Sequence, residues 1–417
     1  MLKKLQITLA ASLLALAASA AGAHAETHVT FWHSFSKGGG EALNKIIANF
    51  EAANPDIKID GEYIGDYDEI VAKLQAAIPA HRGPDAVILE VTRYGLFANS
   101  GVLTDLTPYF NADPLKGDLY DYAREIGVIG DKNFIVPFNS STPVLYYNKD
   151  IFARAGITDI ALGNFDAIHA AAKTITDKLG SEGISGISAP GQFARWGLAM
   201  ANGSDLVDSK TGEILLDSPK TIAAYQWMAS LVTEKLASVD GVTDESKGSE
   251  AFYAGKAGIQ MNSTGDYVGA KKALGDKLGV LPMPCNDGCS VPIGGAGIGI
   301  MATAPKDVQD AAYKFISYAA SPEANAIWFA ATGYMPINKH TVEQPVAKEA
   351  LANQPGIDVA INSLPYAHGR ARTTVVTWMR TTEYQMWQAM ALGQRDVEST
   401  MKEFAANTRD EEARLAN

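Results

Sequence analysis

Cysteine is scarce in this sequence, whose 417 residues include only Cys285 and Cys289. Two thiols are too few for a thiolate metal cluster, and the seven histidines are scattered without the spacing of metal ligands. The two cysteines flank Asn-Asp-Gly, a turn sequence that lets their sulfurs meet. We therefore predict no metal site and a small-loop disulfide of the kind that forms in an oxidising compartment.

The chain also lacks recognisable catalytic motifs. It has no Gly-x-Ser-x-Gly nucleophile elbow, no His-Glu-x-x-His zinc motif and no phosphate-binding Walker loop. Residues 297–302 formally fit a dinucleotide fingerprint, but they are predicted to be a strand and not the turn that follows one. Glycoside hydrolysis by a pair of carboxylates stays open as an alternative, although no pair of acidic residues stands out in the sequence. The sequence thus favours a protein that is not an enzyme and uses no cofactor.

Positive charge is in deficit, with a formal net charge of −12 at pH 7. Loss of an N-terminal leader that carries Lys3 and Lys4 and no acid takes this charge from −12 to −14. Such a surface repels nucleic acid and anionic membranes, so we expect neither as a partner. A small anionic ligand remains compatible, because arginines and backbone N–H groups dominate inside a cleft.

Long apolar runs are missing after the N-terminus, which has the pattern of a signal peptide. Lys3 and Lys4 precede an apolar core over residues 5–20, and residues 23–25 (Ala-His-Ala) have the form of a cleavage site. A membrane anchor is disfavoured because the core is shorter than the roughly 20 residues of a span. With no cysteine nearby for lipid attachment, we expect cleavage after Ala25 and export of a soluble protein.

Strand and helix patterns alternate along the rest of the chain. Residues 85–89 form a continuous apolar run typical of a strand covered on both faces, and apolar residues recur at helical spacing over 41–53. This alternation predicts an α/β fold. A length of 417 residues exceeds one small core and predicts two domains.

One block, residues 138–149, joins two unlike pieces. Its Asn-Ser-Ser-Thr part offers an amide and three hydroxyls, and the Pro-Val-Leu-Tyr-Tyr part after it is predicted to be a buried strand. Small polar groups at the mouth of a strand hydrogen-bond a polar ligand without filling the site. We therefore predict a ligand site there.

Four segments occur in the order found in a known family: residues 31–34 (Phe-Trp-His-Ser), 138–149, 294–296 (Gly-Gly-Ala) and 332–337 (Thr-Gly-Tyr-Met-Pro-Ile). Over nearly its whole length the sequence resembles the glycerol-3-phosphate-binding proteins of ABC importers, which are related to maltose-binding proteins. The resemblance implies a two-lobed periplasmic binding protein fold, each lobe a mainly parallel sheet flanked by helices, with the ligand cleft between the lobes. The lobes would close over the ligand, and the closed form would dock on the membrane permease.

The resemblance also divides the chain into segments. Residues 1–25 would be the signal peptide, residues 26–137 plus 286–334 the N-terminal lobe, and residues 138–285 plus 335–417 the C-terminal lobe. On this division the polar strand mouth lies where the chain crosses between the lobes.

The resemblance further implies a set of ligand contacts. Arg380 matches the phosphate clamp, where the planar fork of a guanidinium meets two oxygens at once. Trp196, outside the family pattern, would stack on a face of the ligand. The matching positions are Tyr67, Ser141, Ser263, Gly295, Tyr334 and Arg380.

Several of these positions have a structural alternative. Tyr67 would face the core as the first apolar residue of its helix, Ser141 would cap a turn, and Gly295 would serve strand packing. Arg370 and Arg372 compete with Arg380 for the phosphate.

At one position the sequence departs from the family. The family holds the glycerol hydroxyls with an acid in a Tyr-Glu-Val-Gly setting, whereas residues 89–95 here are Leu-Glu-Val-Thr-Arg-Tyr-Gly. Glu90 is the nearest acid, although ungapped alignment puts Val91 there, and a one-residue slip turns a strand side chain to the other face. Arg93 would add a second cation. We expect Glu90 to contact the ligand.

These inferences predict a monomeric periplasmic solute-binding protein of an ABC importer. It would capture glycerol 3-phosphate or a glycerophosphodiester by lobe closure and deliver it to the permease subunits. Three alternatives stay open: the same fold binding a neutral sugar or oligosaccharide, a secreted glycerophosphodiester hydrolase, and a docking or sensory protein whose cleft binds nothing.

Overall fold

The computed structural model describes residues 26–208, 211–370 and 374–416. The predicted signal peptide and its cleavage after Ala25 lie outside this part of the chain. The described part is an α/β protein with two lobes, each built on its own sheet, as predicted. Within it, every helix is too short or too polar to cross a bilayer.

The strands are β1 (Thr27–His33), β2 (Ile57–Tyr63), β3 (Ala86–Glu90), β4 (Val128–Ile129), β5 (Lys132–Asn133), β6 (Val136–Ser141), β7 (Pro143–Asn148), β8 (Ser185–Ile187), β9 (Ala257–Ser263), β10 (Leu278–Leu281), β11 (Val291–Pro292), β12 (Gly294–Ile300) and β13 (Ala367–His368). The helices are α1 (Lys37–Ala53), α2 (Tyr67–Ala77), α3 (Gly95–Ala98), α4 (Thr107–Ala112), α5 (Leu115–Asp118), α6 (Asp121–Arg124), α7 (Lys149–Arg154), α8 (Phe165–Leu179), α9 (Gln192–Ala201), α10 (Pro219–Thr233), α11 (Asp240–Thr243), α12 (Glu245–Tyr253), α13 (Tyr267–Leu274), α14 (Lys306–Ala319), α15 (Pro322–Thr332), α16 (Pro345–Asn353), α17 (Val359–Asn362), α18 (Thr374–Ala391) and α19 (Val397–Ala416).

The larger sheet has the strand order β2-β1-β3-β12-β6. β1 pairs in parallel with both β2 and β3. Every residue of β3 is buried, as its continuous apolar run predicts, and helices α1, α2 and α14 pack against the sheet. In this core the ring of Phe315 meets Phe31 and Phe50 edge to face.

Both sheets are mainly parallel, as predicted, but each contains one reversed strand. In the larger sheet β12 lies antiparallel between β3 and β6. In the smaller sheet, of order β10-β7-β9-β8, β7 is antiparallel to both of its neighbours, and β8 and β9 are parallel. The direction of β12 depends on connectivity, since the chain passes through the smaller sheet before β12 inserts between β3 and β6. An apolar pattern identifies a strand but carries no direction.

Each sheet has its own apolar core. Phe138 belongs to the core of the larger sheet, and Trp387 belongs to the core of the smaller sheet. A third cluster packs α13, α15 and α16 on the smaller sheet around Tyr146. The segment boundaries of the two lobes stay a prediction, and β6 runs through the proposed boundary at residue 137 to end at Ser141.

Local sequence signals position two residues of the predicted site. Asp66 caps α2 by accepting hydrogen bonds from two backbone N–H groups of the first turn, at 2.8 and 2.9 Å, which makes Tyr67 the first helical residue. α15 begins after Ser321, whose hydroxyl caps the helix, and ends at Gly333, whose φ of 81° favours glycine. Tyr334 follows this helix end directly.

The predicted disulfide is confirmed. Cys285 and Cys289 are bonded at an S–S distance of 2.04 Å in the loop between β10 and β11. Asn286 inside this loop donates its backbone N–H to the carbonyl of Ala201 (3.0 Å) and accepts from the N–H of Phe165 (3.2 Å). The bonded loop is thereby held against α8 and α9.

Candidate functional site

A cavity of about 150 Å³ is lined by residues from both sheets. All eight residues predicted to contact ligand line it, although ligand binding by them stays a prediction. A more open groove of about 530 Å³ beside β11 and β13 contains none of the eight. The cavity is lined by Tyr67, Glu90, Ser141, Gln192, Phe193, Trp196, Ser263, Gly294, Gly295, Tyr334, Arg370 and Arg380.

The cavity lies where strands begin and end. Glu90, Ser141 and Ser263 are the last residues of β3, β6 and β9. Gly294 and Gly295 are the first residues of β12. The other lining residues come from α2, the first turns of α9, the turn after α15, the segment after β13, and α18. Carboxyl ends of strands are the usual place for ligand sites in α/β folds.

The two serines of the polar strand mouth have different surroundings. Ser140 is fully buried, its carbonyl accepts a hydrogen bond from Met335 N–H (2.8 Å), and its hydroxyl lies 3.4 Å from the carbonyl of Gly294. Ser141 lines the cavity. Ser140 therefore serves the fold, while the hydroxyl of Ser141 is available to a ligand.

The backbone around position 295 requires a glycine there. Its φ is +111°, and a Cβ atom there would lie 2.3 Å from the carbonyl oxygen of Asn139. The side chain of Asn139 accepts a hydrogen bond from Ala296 N–H (2.6 Å) and lies 3.4 Å from the Tyr67 hydroxyl. The close approach of β6 and β12 thus explains this glycine, and Asn139 connects Tyr67 to the same point.

Glu90 is the centre of charge in the cavity. Its carboxylate lies 2.5 Å from the Nη2 atom of Arg370 and 3.5 Å from the Nη1 atom of Arg380. The backbone N–H of Thr92 donates to it at 2.9 Å, and the Thr92 hydroxyl donates to the same oxygen. Val91 packs in the core of the larger sheet. The acid at the cavity is therefore Glu90, despite the ungapped alignment.

The guanidiniums around Glu90 change its protonation. Burial raises the pKa of Glu90, but Arg370 and Arg380 outweigh burial and lower it from 4.5 to about 2. Burial lowers the pKa of Arg380 from 12.5 to about 10, against the attraction of Glu90. Arg93 is paired with Asp68 at 2.5 Å. At neutral pH two cationic guanidiniums therefore face one ionised carboxylate.

Two aromatic rings form another wall of the cavity. The indole N–H of Trp196 donates to Asp205 at 2.8 Å, which fixes the ring. The guanidinium of Arg370 lies 5.4 Å from the ring centre of Trp196 and 5.2 Å from that of Phe193. Its Nε–H donates to the carbonyl of Ile293 at 3.1 Å. Arg370 therefore covers part of the surface on which Trp196 was predicted to stack a ligand.

Behind this wall a buried ion pair joins α9 to α18. Arg195 donates to both carboxylate oxygens of Glu383, at 2.7 and 2.8 Å, and the Tyr225 hydroxyl adds a third bond at 2.9 Å. The side-chain amide of Gln192 donates to Glu383 (2.9 Å) and to the carbonyl of Arg380 (2.6 Å). The helix that carries Arg380 is thereby tied to the helix that begins at the cavity.

Four residues that line the cavity were not among the predicted ligand contacts. Phe193 lies three positions before Trp196, a helical spacing that signals a shared face, and Gly294 directly precedes the predicted Gly295. Gln192 lies four positions before Trp196 and carries the same signal. Arg370 was considered only as a competitor of Arg380, and the other competitor, Arg372, lies outside the described residues.

Comparison with known proteins relates this architecture to a family. The family model for bacterial extracellular solute-binding proteins matches residues 45–355. The sn-glycerol-3-phosphate-binding periplasmic protein UgpB of Escherichia coli strain K12 is 30% identical over 385 residues, which are 85% of this chain and 84% of the relative.

Solved structures agree with the fold. UgpB from Mycobacterium tuberculosis in complex with glycerophosphocholine is 25% identical, with a TM-score of 0.83 over 93% of this chain and 99% of that chain. An ABC substrate-binding protein from Listeria monocytogenes in complex with cycloalternan is 23% identical, with a TM-score of 0.84 over 93% and 99% of the two chains. The likeness confirms the predicted two-lobed fold.

Proposed function

The chain belongs to the family of bacterial extracellular solute-binding proteins, and from this we propose that it captures glycerol 3-phosphate or a glycerophosphodiester. It is a periplasmic solute-binding protein of the ABC importer type. The related proteins are binding proteins, which fits a chain that binds its solute without transforming it. The relative with glycerophosphocholine and the sn-glycerol-3-phosphate-binding relatives support a phosphorylated polyol as the solute.

Charge inside the cavity is the observation that carries the proposal. Arg370 and Arg380 face Glu90, the one carboxylate among the described residues that line the cavity, although the whole chain has a net charge of −12. The buried Nε atom of Arg380 has no hydrogen-bond partner within the described part of the chain. A buried cation that lacks a full counter-charge favours an anionic ligand, and phosphate oxygens match the donors of a guanidinium.

In the proposed complex Arg380 binds the phosphate. Trp196 contacts the carbon skeleton beside Arg370, and Glu90 lies at the hydroxyl end and keeps both guanidiniums in place. The remaining predicted contacts supply hydroxyls and one backbone N–H around the ligand: Tyr67, Ser141, Ser263, Gly295 and Tyr334.

Capture would proceed by closure of the lobes. Residues 26–137 plus 286–334 would move against residues 138–285 plus 335–417 when the ligand bridges both. The closed monomer would then deliver the solute to the permease subunits. The pairing of β11 with β13 is a short connection between these segments at which such a movement would take place.

A neutral sugar is the second candidate ligand. Phe193 and Trp196 offer aromatic surface of the kind that sugars pack on, and solved relatives hold cycloalternan or maltose. The cation of Arg370 already lies over both rings, which disfavours this candidate.

Calorimetric titration of the mature protein with glycerol 3-phosphate, glycerophosphocholine and maltose tests the proposal. We expect at least one of the two phosphates to bind. Arg380→Ala should weaken phosphate binding about 100-fold, because charged hydrogen bonds contribute about 1.5–3 kcal/mol each. Arg395→Ala, at a partly exposed arginine paired with Glu403, is the matched control and should bind as the wild type does. Binding of maltose with failure of both phosphates would overturn the proposal.

A further inference from the structure

Gln192 is held with its amide in one orientation. Its Nε2 atom lies 2.6 Å from the carbonyl oxygen of Arg380 and 2.9 Å from a carboxylate oxygen of Glu383. Both partners only accept hydrogen bonds, so the nitrogen of the amide must face them, and both of its N–H groups are used. The Oε1 atom is then the free end, with no partner among the described residues. Gln192 lines the cavity and brings an unused acceptor to it.

The ion pair behind Gln192 keeps this orientation fixed. Glu383 is buried, and its two bonds from the fully buried Arg195 hold its carboxylate in place. Burial raises the pKa of Glu383, but the Arg195 guanidinium outweighs burial and lowers it. The carboxylate therefore has no proton to give, and a flipped Gln192 amide would put its oxygen against another acceptor.

The other strong acceptor in the cavity, Glu90, already accepts three hydrogen bonds. A carboxylate has about four lone-pair positions. The Nη atoms of Arg370 and Arg380 lie beside the Glu90 oxygens, and the N–H and hydroxyl of Thr92 donate to one of them. About one lone-pair position is therefore left on Glu90, whereas glycerol 3-phosphate carries two hydroxyls, so a second acceptor in the cavity has a hydroxyl to bind.

We propose that Gln192 is a specificity-determining residue whose Oε1 atom accepts a hydrogen bond from a hydroxyl of the ligand. Glu383 and Arg195 act as positioning residues, since they set which end of the amide faces the cavity. The inference rests on the proposed function, because the glycerol moiety of a polyol phosphate supplies that hydroxyl. The site should therefore prefer a polyol phosphate to an alkyl phosphate with the same carbon skeleton.

The test compares each ligand with its counterpart that lacks hydroxyls. Glycerol 3-phosphate is paired with n-propyl phosphate, and glycerophosphocholine with n-propylphosphocholine, in calorimetric or displacement titrations. Gln192→Met keeps the length of the side chain and removes the amide. It should weaken binding of the hydroxylated ligand about tenfold, the effect of one neutral hydrogen bond, and leave the deoxy counterpart unchanged. Gln192→Ala, which adds no bulk, should show the same difference, and Gln394→Met at an exposed position should change neither.

The outcomes separate the two proposals. Equal weakening of both members of a pair would show that Gln192 only supports the fold, and it would overturn this inference while the proposed function stands. Wild-type protein that binds a polyol phosphate but none of the deoxy compounds would also contradict it, since one hydrogen bond cannot supply the whole affinity. Wild-type protein that binds neither polyol phosphate would overturn the proposed function and this inference with it.

Discussion

Glu90 is a buried carboxylate whose ionised form is stabilised by surrounding cations. Its pKa is about 2 in the folded protein, against 4.5 for an ordinary glutamate. A carboxyl with a lower pKa in the folded state stabilises the fold above its unfolded pKa, and this contribution is lost as the pH falls through the folded pKa. Protonation of Glu90 should therefore destabilise the protein between about pH 4.5 and pH 2.

Glu90→Gln measures this contribution. Urea denaturation of the wild type should lose more free energy of unfolding between pH 5 and pH 2 than the variant loses, by about 3 kcal/mol. Glu349→Gln, at an exposed position in α16, is the control and should follow the wild type. Parallel pH profiles for wild type and Glu90→Gln would mean that Glu90 gains nothing from Arg370 and Arg380.

At the scale of elements, the Arg195–Glu383 pair joins α9 and α18. Both side chains are buried, so removal of Arg195 leaves Glu383 as an uncompensated charge in the core. Arg195→Met should lower the free energy of unfolding by about 3–5 kcal/mol, and addition of Glu383→Leu should restore a large part of it. Chemical denaturation checks this.

A second arginine offers a matched control for this prediction. Arg409 also contacts both oxygens of a carboxylate, that of Asp217, but the pair is partly exposed. Arg409→Met should cost no more than about 1 kcal/mol, as exposed pairs do. Similar losses for Arg195→Met and Arg409→Met would contradict the view that burial gives the first pair its importance.

At the scale of the whole molecule, the cavity draws its lining from both sheets. A ligand that contacts both groups of residues stabilises the conformation in which they are close. We expect saturating phosphorylated ligand to decrease the radius of gyration, as measured by small-angle X-ray scattering. With ligand at about ten times the wild-type Kd, Arg380→Ala should stay near the unliganded value, because its binding is about 100-fold weaker. An unchanged radius together with calorimetric binding would argue against lobe closure.

Local structure could be predicted where the signal lies within a few residues. The apolar run at β3 is a fully buried strand, and the helical spacing over residues 41–53 falls within α1. Whether Tyr67 and Gly295 have structural roles could be judged only from the structure. Both residues approach Asn139, which lies on a strand distant from them in sequence. The two reversed strands, β7 and β12, could not be predicted, because the path of the chain between sheets leaves no mark on the pattern within a strand.

By itself the sequence determined the α/β class, the disulfide and many of the helices and strands, while the positions that line one cavity came from its resemblance to a family. Periodicity, caps and turn residues act over short distances along the chain, so they can be detected without a structure. Only the tertiary structure decided that Glu90 and not Val91 faces the cavity, that Arg370 joins Arg380 there, and which way the amide of Gln192 points. These features arise where packing brings distant segments together, and burial then fixes their charge and hydrogen bonds.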